Sequence, residues 1–343
     1  MDESFARIQL FDVLTMARSR GASDIHLTAD EMPFLRVDNH LELLEGLDGQ
    51  DLLQALLEAL DLSNALSDQL SKRGDCTTMM PRSLGLATRV HLWRQAGALS
   101  AAIRLHDTDL RSFSGLGLPD ISRTLLTNAS GLLLFTGPTG SGKSTSMYSS
   151  IREIATSRAL HIMTIEDPIE VIFSVDKGLV QRREVGRDAP SFAASIRSAM
   201  RSDPDIIVVG EMRDPETMSA ALHAAETGHL VVSTLHARSS ASSIDRIIDS
   251  FPASRASEVR GRLASVLLGV INQRLLRRIG GGRVLAAECL VVNDAARTLI
   301  REAKTYQIGN LIAMGRATGM QSLAGEAERL NRDHVIENTE RIA

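Results

Sequence analysis

Cysteine, aromatic side chains and an excess of positive charge are all scarce in this sequence. Cys76 and Cys289 are the only cysteines in 343 residues. They are too few for a disulfide framework and too far apart for a metal-binding pair, which fits buried free thiols in a reducing cytoplasm. One Trp (Trp93), two Tyr (Tyr148 and Tyr306) and eight Phe leave little material for stacking on bases. A formal charge of -4 argues against a surface built to neutralise a nucleic-acid backbone, so nucleic acid is not expected among the partners. No apolar run approaches the roughly 20 residues of a membrane span. The start, Met1-Asp2-Glu3-Ser4, is acidic where an export signal is basic, so a cytoplasmic location is expected. With 43% hydrophobic residues, the chain can still build two domains, each with its own core.

Against this background one stretch stands out, Gly137-Pro138-Thr139-Gly140-Ser141-Gly142-Lys143-Ser144-Thr145. It follows the apolar run Leu132 to Thr136 and opens a helix-like segment, which is the strand, glycine-rich loop and helix context of a phosphate loop. The glycines allow successive backbone N–H groups to converge on one point, and the helix starting at Lys143 adds its positive end there. A polyphosphate suits that point. Lys143 would reach the β and γ phosphates, and the Ser144 hydroxyl would join the shell of a Mg²⁺ ion.

The organisation around the loop supports an α/β reading. Phe5 to Arg20 carries Ile8, Phe11 and Leu14 at helical spacing and stops at Gly21. Ser23 to Asp38 reads as two short strands around Pro33, and Asp48 to Leu70 as a leucine-rich helical stretch capped by Asp48 or Asp51. Arg89 to Leu105 reads as strand with a turn at Gly97. Residues 1–107 therefore form a smaller α+β domain, residues 108–118 a linker, and residues 119–343 the phosphate-loop domain with C-terminal helices. In that last domain the apolar strands Leu132 to Thr136, His161 to Ile165, Ile206 to Val209 and Leu230 to Thr234 alternate with helical stretches, the rhythm of parallel strands joined by crossover helices. Ser254 to Arg278 is expected as one helix, with Val259, Leu263, Val266, Leu267, Val270 and Ile271 on one face.

Two carboxylates follow such strands. Glu211 ends Ile206-Ile207-Val208-Val209-Gly210-Glu211, where nucleoside triphosphatases place the acid that manages the Mg²⁺ shell, and ligands of open α/β sheets sit at that strand end. Glu166, at the start of Glu166-Asp167-Pro168-Ile169-Glu170, is the choice for the group that activates water. Asp167 and Glu170 read equally as surface charge around a proline turn, and Asp214 as a helix cap. His223, His229 and His236 match no familiar zinc spacing. His229 is the expected contact to the γ-phosphate.

These residues resemble the type II/IV secretion superfamily of RecA-like ATPases, and within it the PilT-type retraction motors of type IV pili. The similar text is Gly137 to Thr145, Thr164 to Glu170, Gly210 to Asp214, Ala225 to His229 and Ser233 to His236, in the order of the family's Walker A, Asp box, Walker B and His box. Ala22 to Leu27 resembles the start of the family's PAS-like N-terminal domain, and Ala296 to Glu302 its C-terminal motif associated with retraction. The resemblance implies a RecA-like core, an ATP- and Mg²⁺-dependent hydrolase, and a homo-hexameric ring. It also implies docking on an inner-membrane platform protein at the cytoplasmic face, with a paralogous pilus ATPase as a possible partner.

Glu166 would match the catalytic glutamate, Glu211 the Walker B acid and His229 the His-box residue. Arg89 and Arg104 would match N-terminal-domain arginines that reach the nucleotide. The tetracysteine insert usual in extension motors is missing, which sets the chain with retraction. It departs from the family in three places: Ala87-Thr88-Arg89-Val90-His91 lacks one basic residue, Leu235-His236-Ala237-Arg238 replaces Leu-His-Thr-Thr, and the tail after Leu323 is unlike that of typical relatives. A pilus assembly or secretion ATPase, and a weakly active accessory subunit modulating a partner ring, are the alternative readings.

Overall fold

The computed structural model describes residues 3–37, 40–60, 64–80, 88–105, 110–169, 171–173, 175 and 177–337. By its contacts the chain divides into two compact units, Met1–Asp109 with Pro168–Ile172 and Leu110–Asp167 with Phe173–Ala343. Ala87 and Glu170, both named above, lie outside the described residues.

In the first unit, helix α1 (Glu3–Ser19) precedes strands β1 (Asp24–Thr28), β2 (Phe34–Val37) and β3 (His40–Leu43). Helices α2 (Gly49–Leu60) and α3 (Asn64–Arg73) follow, then strands β4 (Asp75–Met79), β5 (Thr88–Gln95) and β6 (Ala98–Leu105). The leucine-rich stretch is thus two helices, the first opened by Asp48, whose carboxylate accepts from the Gln50 amide at 2.7 Å. Leu10, Val13, Leu14 and Ala17 form the buried stripe of α1 at the i, i+3, i+4, i+7 spacing. Phe11, expected on that stripe, falls off it and is 42% exposed. The six strands pair in the order β3-β2-β1-β6-β5-β4, antiparallel throughout. β5 and β6 are joined at Ala96-Gly97, both at positive φ (47° and 84°), as a two-residue hairpin turn requires.

The second unit opens with α4 (Phe113–Leu116) and α5 (Ile121–Leu126). The stretch read as a linker is therefore part of this unit from Leu110 onward: Leu110, Phe113 and Leu118 are buried, and apolar side chains so close to a strand entry anchor rather than link. Then come β7 (Gly131–Thr136), α6 (Lys143–Ser157), β8 (Leu160–Glu166), β9 (Gly178–Glu184), α7 (Phe192–Ala199), β10 (Ile206–Val209), α8 (Pro215–Glu226), β11 (Leu230–Leu235) and α9 (Ser240–Asp249). The unit closes with α10 (Ala256–Val266), β12 (Leu267–Arg277), β13 (Arg283–Val291), α11 (Asp294–Arg301), α12 (Ile308–Met314) and α13 (Leu323–Arg332).

The sheet order is β13-β12-β7-β11-β10-β8-β9, parallel except for the antiparallel edge strand β13. Every residue of β7, β10 and β11 is buried, as expected of parallel strands covered on both faces. Each fully buried leucine there contributes about 1.5–3 kcal/mol.

The single helix expected over Ser254 to Arg278 is corrected. It ends at Val266, and Leu267 to Arg277 is a strand beside β7. Val266, Leu267, Val270 and Ile271 satisfy a helical period, but Leu268 makes the run almost continuous, and a run buried on both faces is the mark of an inner parallel strand. Gly269 suits that slot: a Cβ there would lie 2.7 Å from the Leu125 side chain and from the Leu290 carbonyl oxygen.

Candidate active site

The phosphate loop leaves the carboxyl end of β7 as expected. Gly137, at φ 145°, passes so close to β12 that a Cβ would stand 2.4 Å from the Gln273 carbonyl oxygen. Gly140 and Gly142 have φ of 74° and 84° with open space where a side chain would be, so Pro138, Thr139 and Ser141 are carried on a turn that only glycine permits at those points. Gly142 caps α6, which begins at Lys143 and continues through Ser144 and Thr145. Lys143 is buried at 7% exposure, its Nζ donating to the Pro138 carbonyl at 2.9 Å. Burial pulls its pKa below the usual lysine range, with only Glu211 opposing. A buried ammonium with one distant counter-ion suits an anionic guest. Ser141 Oγ is likewise buried without a hydrogen-bond partner.

Glu211 follows β10 at the same edge of the sheet. Arg213 donates to its Oε1, and His236 Nε2 stands 3.8 Å from its Oε2. The bond to Glu211 is the main reason that Arg213 is held above the usual guanidinium range, with the Asp167 charge adding to it. Burial lowers the His236 pKa, and the positive charge of Lys143 lowers it further against the pull of Glu211. Lys143, Glu211 and His236 therefore feel one another's charge directly. Glu166 ends β8 and is 3% exposed, with the Thr164 hydroxyl donating to its Oε1 at 2.7 Å. Asp167 is exposed beside it. Asp214 is a helix cap, accepting from the Thr217 amide at 2.8 Å and the Thr217 hydroxyl at 2.7 Å.

The profile of the type II/IV secretion system protein family matches residues 2–332. The chain belongs to this family. It is 39% identical over 319 residues to the protein named type IV pilus retractation ATPase PilT of Pseudomonas aeruginosa, covering 92% of each chain. It is 43% identical over 249 residues to the twitching motility protein of Neisseria gonorrhoeae, covering 72% of this chain and 67% of that one. Among solved structures it is similar to the pilus retraction motor PilT with bound ADP (TM-score 0.87, 41% identity, 96% of this chain and 94% of that one). The ATPase DotB of Legionella pneumophila is also similar (TM-score 0.81, 28% identity, 97% and 93%).

In this member of the type II/IV secretion family, the expected γ-phosphate histidine needs correction. His229 precedes β11, and its carbonyl accepts from the amide of Gly131, the first residue of β7. Gly131 pairs with Leu230 while Thr136 pairs with Leu235, so His229 stands about 20 Å of strand rise from the phosphate-loop edge. Its Nδ1 lies 3.2 Å from the Ala224 carbonyl oxygen, a local contact. His236, at the other end of the same strand, is the histidine beside Glu211. The two arginines named from the resemblance are cross-strand neighbours in the first unit, Arg89 on β5 facing Arg104 on β6. Arg104 Nε donates to Asp24 Oδ1 at 2.9 Å, and Ser23 Oγ donates to Asp24 Oδ2 at 2.8 Å. His91, at the departure from the family text, accepts or donates at 2.9 Å with Thr77 and stacks on Trp93.

Proposed function

We propose that this chain is the ATP-hydrolysing subunit of a ring motor that retracts a type IV pilus. The observation that carries the reading is the convergence of Lys143, Glu211 and His236 at the carboxyl edge of a parallel sheet, where such folds bind phosphates. Similarity along nearly the whole chain to a pilus retraction ATPase, at 39% identity, supports it. Gly137 to Thr145 bind the polyphosphate, and Lys143 neutralises it. The oxygen donors of Ser144 and Glu211 suit Mg²⁺, which supplies charge neutralisation on the phosphates when bound. Glu166 takes the proton of the attacking water. His236 takes the place beside the γ-phosphate that the sequence had suggested for His229. Arg89 and Arg104 stabilise developing charge, a contribution of about 10³ to 10⁵ in rate where arginines act this way.

The working unit is a homo-hexamer at the cytoplasmic face of an inner-membrane platform protein, with a paralogous pilus ATPase as a further partner. Cys76 and Cys289 are both buried, one in each unit, which leaves nothing of a tetracysteine insert and favours retraction over extension. The test is deletion of the gene, followed by pilus counts in the electron microscope and a surface-motility assay. Pili kept or increased with twitching lost is the expected result. Bald cells would mean an assembly motor, and normal pili with normal motility an accessory subunit.

A further inference from the structure

Beneath the phosphate loop lies a buried polar node that the reading above does not use. Asn272 of β12 is fully buried, and its Nδ2 donates both to Thr136 Oγ1 at 2.8 Å and to the Ala237 carbonyl at 3.1 Å. Thr136, also fully buried, is the residue from which the phosphate loop departs. Ala237 immediately follows His236. The Thr136 and Ser243 hydroxyls share a hydrogen bond of 3.1 Å, and Ser243 Oγ donates to the Ser239 carbonyl at 2.7 Å. Four chain positions are thus drawn together: the root of the phosphate loop, β12, the turn after His236, and the first turn of α9.

A side-chain amide has two donor protons and can hold two acceptors at fixed separation. In a site closed to water, such a bond is costly to break and stiff while it lasts. The turn that Asn272 holds is the one where Ala237-Arg238 departs from the family text. With alanine at 237, the clamp on this turn from β12 falls on the backbone carbonyl, which every residue type carries.

The geometry points to Asn272 as a positioning residue that ties the turn bearing His236 to the root of the phosphate loop, so that filling the loop fixes the histidine. This rests on the reading of His236 as the residue beside the γ-phosphate. Asn272 touches no reacting atom; it acts through Thr136 and Ala237.

The test uses the full chain with Mg²⁺ and ATPγS. Hydrogen exchange is followed by mass spectrometry at residues 139–144 and 236–240, alongside kcat and KM for ATP, in the wild type, Asn272→Ala, His236→Ala and the double variant. In the wild type the nucleotide protects both segments. In Asn272→Ala, protection of 139–144 remains and protection of 236–240 is lost. The kcat of Asn272→Ala falls to the level of His236→Ala, with KM changed less than about threefold, and the double variant is no slower than either single one, as expected for two residues acting as a unit. Thr136→Val, which keeps the shape and removes the hydroxyl, gives the same pattern and serves if Asn272→Ala does not fold.

Protection of 236–240 that survives both substitutions overturns the proposal, as does a loss confined to KM or a double variant whose losses multiply. A His236→Ala protein with normal turnover removes the underlying reading and the tie with it. A slow His236→Ala beside a normal Asn272→Ala removes the tie alone.

Discussion

His236 Nε2 and Glu211 Oε2 stand 3.8 Å apart, and that proximity brings together side chains from beyond the ends of two parallel strands, β10 and β11. Burial, then Lys143, hold the imidazole pKa below the ordinary histidine value, so the ring is neutral at pH 7. In the nucleotide-free protein its titration, followed by the ring Cε1–H resonance, is expected to turn below the ordinary histidine value and to move up in Lys143→Ala. The sign for stability follows from the lowered value: the unfolded chain takes the proton first. This contribution is complete above the unfolded pKa and is lost as pH falls through the folded one. A ring that titrates at or above the ordinary histidine value would refute the arrangement.

Lys143→Ala is expected to cut ATP turnover at least about a hundredfold while circular dichroism stays unchanged. The buried ammonium is held by a backbone carbonyl and one distant carboxylate, so its removal costs the fold little. Phosphate release near wild-type rates would remove the phosphate-loop assignment.

Gly137→Ala should be worse for folding than Lys143→Ala. The new methyl group would meet the Gln273 carbonyl at 2.4 Å in a backbone conformation at φ 145°, a strain of about 1–3 kcal/mol. Urea denaturation together with titration of a fluorescent ADP analogue gives the two readouts. Unchanged stability and affinity would show that the loop takes another path.

Glu166→Gln is expected to bind nucleotide normally and turn over about 10² to 10⁴ times more slowly, because an amide cannot take the proton of water. The Thr164 hydroxyl has the Glu166 carboxylate oxygen as its partner, and an amide oxygen can accept the same bond, so the fold should tolerate the change. Normal turnover here with loss in Glu211→Gln would reverse the two roles.

Neither thiol should react in the native protein. Burial pushes both Cys76 and Cys289 above the ordinary thiol range, Cys289 by far the more strongly, and the thiolate is the reactive form. A chromogenic disulfide reagent should release about no thiolate from folded protein and the equivalent of both residues in denaturant. Fast reaction before unfolding would contradict the burial.

The phosphate loop, the strands β7, β8, β10 and β11 and the acids after them were legible in the sequence, because continuous apolar runs and glycines at fixed offsets report purely local constraints. Leu267 to Arg277 was not legible as a strand. Its apolar residues fit both periods, and only the slot beside β7 decides between them. The histidine was misplaced for a different reason. The rule that selected Glu166 and Glu211, a polar residue at or just past the end of a parallel strand, selects His236 as well, whereas His229 stands before its strand. Asn272 carried no local signal at all, since its partners lie 136 and 35 positions away in the chain.

β11 is buried at every residue and paired on both sides, with β7 and β10. A strand so enclosed has no room to bend or stretch, because its neighbours fill the space at crystal-like density. It holds its two ends at a fixed separation, so His236, just past its carboxyl end, and His229, just before its amino end, are kept at opposite edges of the sheet.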